Sequence, residues 1–362
     1  MTSDSKARCL LVGCGGVGTM AAYNLEAGSK ATVTAVLRSN FTAVERDGFS
    51  IDSIDHGKVE GWRPTEIRTT ISDIKTAKDS QPYDFIIVTT KNTPDIPPSL
   101  PSLIAPAVTP GHTSIMLLQN GLNIEKPFFA AFPENPILSG VSLIGATETA
   151  PGKVLHDDRD RMIVGAFARP TSSPTSSTSS SPPEPTPRDH ASASHFVDIY
   201  SASGNVVCDL TQNVGLVRWR KLVYNASYNP ICAITGVDTT RMRFAGEPLR
   251  QLIRPAMWEI IATARAAGDA LLQEEELVET MVDVDPWSFF KPSMQQDVEK
   301  NNFTEFENIV GEPVREAQRL GVPTPTLQVI YALLQTMQWK TKESRGLFTV
   351  PLERPEGFVL SK

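Results

Sequence analysis

Residues Cys9-Leu10-Leu11-Val12-Gly13-Cys14-Gly15-Gly16-Val17-Gly18 decide the fold. Cys9 to Val12 is a short apolar run, read as a buried strand. It enters a Gly-x-Gly-x-x-Gly turn made of Gly13, Cys14, Gly15, Gly16, Val17 and Gly18. Thr19 to Ala27 follows as a good helix, closed by Gly28. Thr32 to Leu37 is a second, β-branched run. Strand, glycine turn, helix and strand form the βαβ unit that binds dinucleotides. Gly13 permits the tight turn, Gly15 lets the backbone approach a pyrophosphate, and Gly18 lets the helix pack close on the strand. The free N–H groups of the first helical turn then face the phosphates.

The second strand ends Val36-Leu37-Arg38-Ser39-Asn40. An NAD enzyme usually places an acid here for the ribose hydroxyls. This chain has none, and Arg38 is available for a 2′-phosphate, which favours NADP(H). The plainer reading of Arg38 is an ordinary surface arginine. Phe85 to Val88 is a continuous buried strand running into Thr89-Thr90-Lys91-Asn92, and Ile115 to Leu118 is another running into Gln119-Asn120-Gly121. In an open parallel sheet the carboxyl ends of strands line the ligand crevice, so Lys91 and Asn120 are expected beside the glycine turn.

Between these landmarks, Phe49 to Ile71 is expected to hold two or three short strands, and Ile137 to Ile144 and Arg161 to Phe167 two more, with Gly152 in a turn. Residues 169–188 are rich in Ser, Thr and Pro and read as a disordered surface insertion. His195 to Ser201 reads as helix and Val206 to Leu210 as a last strand. From Gln212 onward the apolar period is helical. Two domains follow, 1–210 carrying the dinucleotide and 211–362 all-helical, in keeping with a 362-residue length.

Composition narrows the partners. Hydrophobic residues make up 40% and charged residues 21%, and the net charge of −7 argues against a nucleic acid or an acidic membrane. No apolar run reaches the roughly 18 residues of a membrane span. Cys9, Cys14, Cys208 and Cys232 form no CxxC pair or metal-spaced cluster, so reduced thiols and no metal are expected. The N-terminus carries no signal pattern, and a cytoplasmic location is the expectation.

In the second half, Trp219-Arg220-Lys221-Leu222-Val223-Tyr224-Asn225-Ala226-Ser227-Tyr228-Asn229-Pro230 reads as a helix. Lys221, Asn225 and Asn229 recur every four residues and would line one face. Such a stripe is either a solvated helix end, which Asn229-Pro230 would mark, or one wall of a polar site. Ser293 reads as a helix N-cap, with Gln296 completing a capping box. Glu305 and Glu307, taken alone, read as a solvated face. Thr324-Pro325 opens a last helix with the residues preferred there.

Taken together, several stretches come in one order over nearly the whole chain. They are the glycine turn, Thr90-Lys91-Asn92, Gln119-Asn120-Gly121, Trp219-Arg220-Lys221-x3-Asn225-x3-Asn229-Pro230, Pro292-Ser293-Met294-x2-Asp297 and Thr304-Glu305-x-Glu307-x-Ile309-x-Gly311. In this combination the chain resembles the ketopantoate reductase (2-dehydropantoate 2-reductase) family. The resemblance implies an α/β fold: an N-terminal Rossmann-type doubly wound sheet, then an all-α domain like the C-terminal domain of 6-phosphogluconate dehydrogenase. It implies NADPH-dependent reduction of ketopantoate to pantoate, for pantothenate and coenzyme A synthesis. Lys221 would be the general acid and Glu305 would hold and tune it at the cofactor's edge. Asn225 and Asn229 would hold substrate oxygens, Ser293 the carboxylate and hydroxyl end. Lys91 and Asn120 would sit where cofactor and substrate meet, and Arg38 at the 2′-phosphate. The partner is a small 2-oxo acid, and a homodimer is one assembly the resemblance allows. Departures touch the substrate: the 169–188 insertion, the stretch Gly140 to Ala146, where members often carry a histidine and Ile144 stands near that place, and Asn308 and Val310. Another branched 2-oxo acid such as 2-ketoisovalerate is the alternative, and a non-catalytic NADP(H) sensor a more distant one.

Overall fold

The computed structural model describes residues 6–71, 81–170, 184–271, 273–284, 287–355 and 357. Residues 171–183 of the expected insertion lie outside these. The chain divides into two compact units at Arg218/Trp219.

The first unit is built on strands β1 (Ala7–Val12), β2 (Ala31–Val36), β3 (Phe49–Ser53), β4 (Gly57–Trp62), β5 (Glu66–Arg68), β6 (Phe85–Val88), β7 (Ser114–Leu117), β8 (Ile137–Ser142), β9 (Gly145–Ala150), β10 (Lys153–Asp158), β11 (Arg161–Ala166) and β12 (Val207–Leu210). Eight of them form one sheet in the order β12-β11-β8-β7-β6-β1-β2-β5, and β4-β3-β10-β9 form a second, four-stranded sheet. In the large sheet every pairing is parallel except β8 with β11. Its helices are α1 (Gly16–Ala27), α2 (Phe41–Asp47), α3 (Leu100–Ile104), α4 (Lys126–Ala131) and α5 (Pro187–Tyr200).

The apolar runs predict this sheet because a strand covered on both faces needs apolar residues at every position. Alternation then sorts them by face. Cys9, Leu11, Val33, Ala35, Phe85, Ile87 and Met116 belong to one core cluster, which includes Met20 and Leu25 of α1 and Phe196 of α5. Leu10, Val12, Val36, Ile86, Val88, Ile115 and Leu117 belong to the other, with Ile104, Phe128 and Phe129. Each fully buried aliphatic side chain contributes about 1.5–3 kcal/mol.

Two expectations need correction here. Helix α5 begins at Pro187, eight residues before the expected start at His195, and Thr186 caps it in a reciprocal pair with Asp189. Arg169 donates to the Asn135 carbonyl and Arg188 to the Gly111 carbonyl, at 2.8 and 2.6 Å. Both described ends of the 169–188 stretch are therefore ordered, because local capping and carbonyl acceptors offset a composition that cannot bury a core. The unit boundary also falls later than residue 210. Val214 is buried in the core cluster with Phe167, so the first turns after β12 still belong to the first unit.

The second unit is helical: α6 (Val214–Asn225, which spans the boundary), α7 (Tyr228–Thr235), α8 (Thr239–Phe244), α9 (Arg254–Ala266), α10 (Glu274–Val282), α11 (Ser293–Glu299), α12 (Glu312–Leu320) and α13 (Pro325–Ser344). Leu249–Ile253 and Glu307–Gly311 are single π turns leading into α9 and α12. In each case a proline, Pro255 or Pro313, is the second residue of the following helix. A proline has no N–H to close the ordinary i→i−4 ring, and the ladder widens by one residue instead. The side chain of Thr324, the expected cap of α13, accepts no backbone N–H of the helix, only the Gln328 amide at 3.5 Å; Glu259 of α9 accepts from Thr326 and Leu327 N–H at 2.9 and 2.8 Å. A carboxylate suits the positive end of a helix better than a hydroxyl.

Candidate active site

In the first unit the parallel register aligns three loops. Val12, Val88 and Leu117 end their strands side by side. Thr89 N–H donates to Val12 O at 3.0 Å, and Leu118 N–H to Val88 O at 3.1 Å. The glycine turn, Thr89–Asn92 and Gln119–Gly121 therefore share the carboxyl edge of the sheet. Gly13 N–H reaches Val36 O, which brings the β2 end and Arg38 to the same edge.

The glycines divide their work sharply. Gly13 has a positive φ of 102°, and a Cβ there would collide with Thr90. Gly18 lies against the Gly13 carbonyl and the Thr89 hydroxyl. Around Gly15 there is open space, and no side chain caps the N-terminus of α1. Open space at Gly15 and an uncapped twelve-residue helix fit a pyrophosphate. Gly16, which the Gly-x-Gly-x-x-Gly pattern does not require, packs on β9 rather than facing open space. Arg38 is exposed, and among the described residues its guanidinium has no hydrogen bond or ion pair. Lys91 is exposed and Asn120 half-buried.

Asn40 is a residue that sequence reasoning passed over. It is buried, and its side-chain amide donates to Cys14 O at 2.7 Å and to Glu148 Oε1 at 2.8 Å. Glu148 also accepts from Gly152 N–H at 3.0 Å. The turn is thereby fixed to β2 and to the β9–β10 hairpin. Only the proximity of Asn40 to Arg38 could have drawn attention to it. The thiols are all reduced, and burial pushes them up, Cys208 and Cys232 to about 12. Among the described residues no group of three or more His, Cys, Asp or Glu is placed to hold a metal ion, and no helix is long and apolar enough to cross a membrane.

In the second unit the expected single helix is two. Helix α6 ends at Asn225 and α7 starts at Tyr228. Pro230 cannot donate to Ala226 O, and the Ser227 hydroxyl donates instead to Val223 O and Tyr224 O at 2.7 and 3.1 Å. Lys221 and Asn225 remain one turn apart on α6, while Asn229 lies in the first turn of α7. Lys221 is half-buried; Asn225 and Asn229 are only 8% and 3% exposed. The reading of a solvated stripe does not hold.

Ser293 is not a cap. Pro292 occupies the cap position of α11 and the helix has no side-chain cap, while Gln296 donates to Lys291 O at 2.8 Å. The half-exposed Ser293 hydroxyl makes no hydrogen bond among the described residues. Glu305 is only 4% exposed, so it is not part of a solvated face. Glu307 accepts from Tyr331 OH at 3.0 Å and from Arg315 at 2.9 Å, which makes it structural.

Residues 9–169 match the ketopantoate reductase PanE/ApbA family, and residues 213–338 match its C-terminal domain. The chain belongs to this family. Among its relatives is the uncharacterized protein YDL144C of Saccharomyces cerevisiae, 36% identical over 94% of this chain and 96% of that one. The 2-dehydropantoate 2-reductase of a Nostoc strain is 25% identical over 92% and 95% of the two chains. The crystal structure of 2-dehydropantoate 2-reductase from Methylococcus capsulatus superposes with a TM-score of 0.74 at 28% identity, covering 92% of this chain and 97% of that one. Membership in the ketopantoate reductase family makes the chain an NAD(P)-dependent oxidoreductase with a Rossmann-type first unit and a helical second one.

Proposed function

We propose that the protein reduces 2-dehydropantoate to pantoate with NADPH, and that Lys221 is the general acid. The observation that carries this reading is the second unit's arrangement. It has one lysine on a helix face with a buried amide one turn away, a second buried amide at the start of the next helix, a buried carboxylate and an uncommitted hydroxyl. A cation, two amides, a carboxylate and a hydroxyl in one helical unit match the ketone, carboxylate and hydroxyl oxygens of this 2-oxo acid in chemical type.

A bound dihydronicotinamide supplies the hydride. Lys221 Nζ donates a proton to the ketone oxygen as the hydride reaches C2, so no free alkoxide forms, and solvent returns the proton to the lysine. Glu305 keeps the ammonium oriented and offsets part of its desolvation. Asn225 and Asn229 hold substrate oxygens without changing net charge. Ser293 donates to the carboxylate end. Arg38 meets the 2′-phosphate, while Lys91 and Asn120 border the nicotinamide and the acid.

The test is NADPH oxidation across a panel of 2-oxo acids that includes 2-dehydropantoate and 2-ketoisovalerate. A kcat/KM for 2-dehydropantoate well above every other acid supports the reading. A preference for 2-ketoisovalerate reassigns the substrate and keeps the residue roles. NADPH binding with no turnover of any acid points to a sensor.

A further inference from the structure

Arg218 is a charged side chain in the first unit that the site above does not use. It is 4% exposed. Its Nε donates to Ser139 Oγ at 2.9 Å, and its Nη1 to the carbonyls of Gln119 and Gly121 at 3.1 and 2.8 Å. The guanidinium lies over the Phe167 ring, 5.0 Å from its centroid. Every acceptor is neutral, and Nη2 is buried without a hydrogen-bond partner among the described residues. A buried cation held by neutral oxygens is an unfavourable way to fasten a loop, since an amide could do it without the desolvation cost. Burial pushes the guanidinium down to about 10, with the Glu125 carboxylate opposing; it remains charged at neutral pH.

The contacts extend one step further. Gln119 Nε2 donates to Thr90 O at 2.6 Å. Gln119 Oε1 and Thr90 Oγ1 are themselves buried without a partner among the described residues. Thus the two carbonyls flanking Asn120 are held by one guanidinium, and the residue preceding Asn120 holds the residue preceding Lys91. Gly121 has a φ of 99°, so the turn between the two carbonyls is one that few side chains would allow.

We propose that Arg218 is a positioning residue for the reduction: its two-carbonyl clamp sets Asn120 at the end of β7 and, through Gln119, sets Lys91 at the end of β6. This rests on the function proposed above for Asn120 and Lys91. A lysine can keep the charge but cannot grip both carbonyls and Ser139 with a planar fork. A group misplaced by about 1 Å can cost a reaction ~100-fold.

The experiment compares wild type with Arg218→Lys, Arg218→Ala and Gln119→Met by hydrogen exchange and by kinetics. In Arg218→Lys the amides of residues 118–122 and 89–92 exchange faster, while those of α1 are unchanged; Gln119→Met speeds only 89–92. With 2-oxo acid, kcat/KM of Arg218→Ala falls by about 100-fold, and millimolar guanidinium, below denaturing levels, restores part of it. The same addition does nothing for Lys221→Ala. Unchanged exchange at 118–122 in Arg218→Lys overturns the clamp. Exchange that quickens there while kcat/KM stays at the wild-type value overturns the positioning role. The exchange readout needs no substrate, so failure of the clamp is distinct from failure of the proposed reaction.

Discussion

A Cβ placed on Gly16 would stand 2.2 Å from the carbonyl oxygen of Ala146. That oxygen belongs to strand β9, so nothing flexible can yield. Two adjacent glycines of one turn therefore answer to different demands. Gly15→Ala meets nothing within 4 Å of protein, and should leave the thermal midpoint within a degree or two while weakening NADPH binding by at least about tenfold. Gly16→Ala should unsettle the fold itself, by about 1–3 kcal/mol. Melting curves and dihydronicotinamide fluorescence separate the two; equal effects on both readouts in both variants would refute the division.

Lys221→Ala should lower kcat by at least about 100-fold, the usual scale for a positioned general acid, and change NADPH affinity little. Near-normal turnover would remove the lysine from the chemistry.

Arg38→Ala tests the cofactor. A charge-assisted bond to a phosphate contributes about 1.5–3 kcal/mol, so NADPH binding should weaken roughly 10- to 100-fold. NADH binding should hardly move. Parallel losses for both cofactors would place Arg38 elsewhere.

Asp160 offers a pH test. Burial holds its carboxyl above the usual range, and bonds from Tyr200 OH at 2.6 Å and Asn24 Nδ2 at 2.5 Å pull it partly back. A folded pKa above the unfolded value means the folded state keeps the proton longer. Stability from this group falls as pH rises from the ordinary carboxylate range through the raised folded pKa, and is flat above it. Tyr200→Phe removes a bond to the charged form. Its deficit should grow as pH rises through the wild-type folded pKa and above it, to about 1.5–3 kcal/mol once the carboxyl is ionised in both proteins. A pH-independent deficit in melts from about pH 4 to pH 8 would contradict the assignment.

Thr186 and Asp189 cap α5 reciprocally, with Asp189 Oδ2 accepting from Thr186 N–H at 2.9 Å and from its hydroxyl at 2.7 Å. Thr186→Ala should lose about 1–2 kcal/mol in chemical denaturation. Excising residues 171–183, which spares this cap, should lower the midpoint less than excising 171–187, which removes it. The reverse ranking would deny the cap its role.

The large sheet and the glycine turn were legible because their signals are local: unbroken apolar runs, and glycines at fixed offsets. The β9–β10 hairpin was not. Gly145-Ala146-Thr147-Glu148-Thr149-Ala150 is small and polar, half-buried or exposed throughout, and shows no alternation. In the second unit, spacing suggested one helix through Asn229, because a period of four survives a two-residue joint. Pro230 acts on a carbonyl four residues upstream, where its effect is hard to see. Ser293 looked like a cap because its residue type is right, yet Pro292 takes the position. Arg218 could not be found at all from spacing. Its acceptors are the Ser139 hydroxyl, 79 residues away, and two backbone carbonyls, which every residue has, 97 and 99 residues away.

The joint at Ala226–Ser227 has a consequence for how substrate preference can drift. Were Lys221, Asn225 and Asn229 on one rigid cylinder, no substitution could alter the gap between the amides without also turning the lysine. With the joint between them, the angle of α7 against α6 is an adjustable parameter. A change at Ser227, whose hydroxyl occupies the last carbonyls of α6, would then re-aim Asn229 and leave Lys221, the proposed proton donor, where it is. Selectivity for the acid can then be revised separately from catalysis.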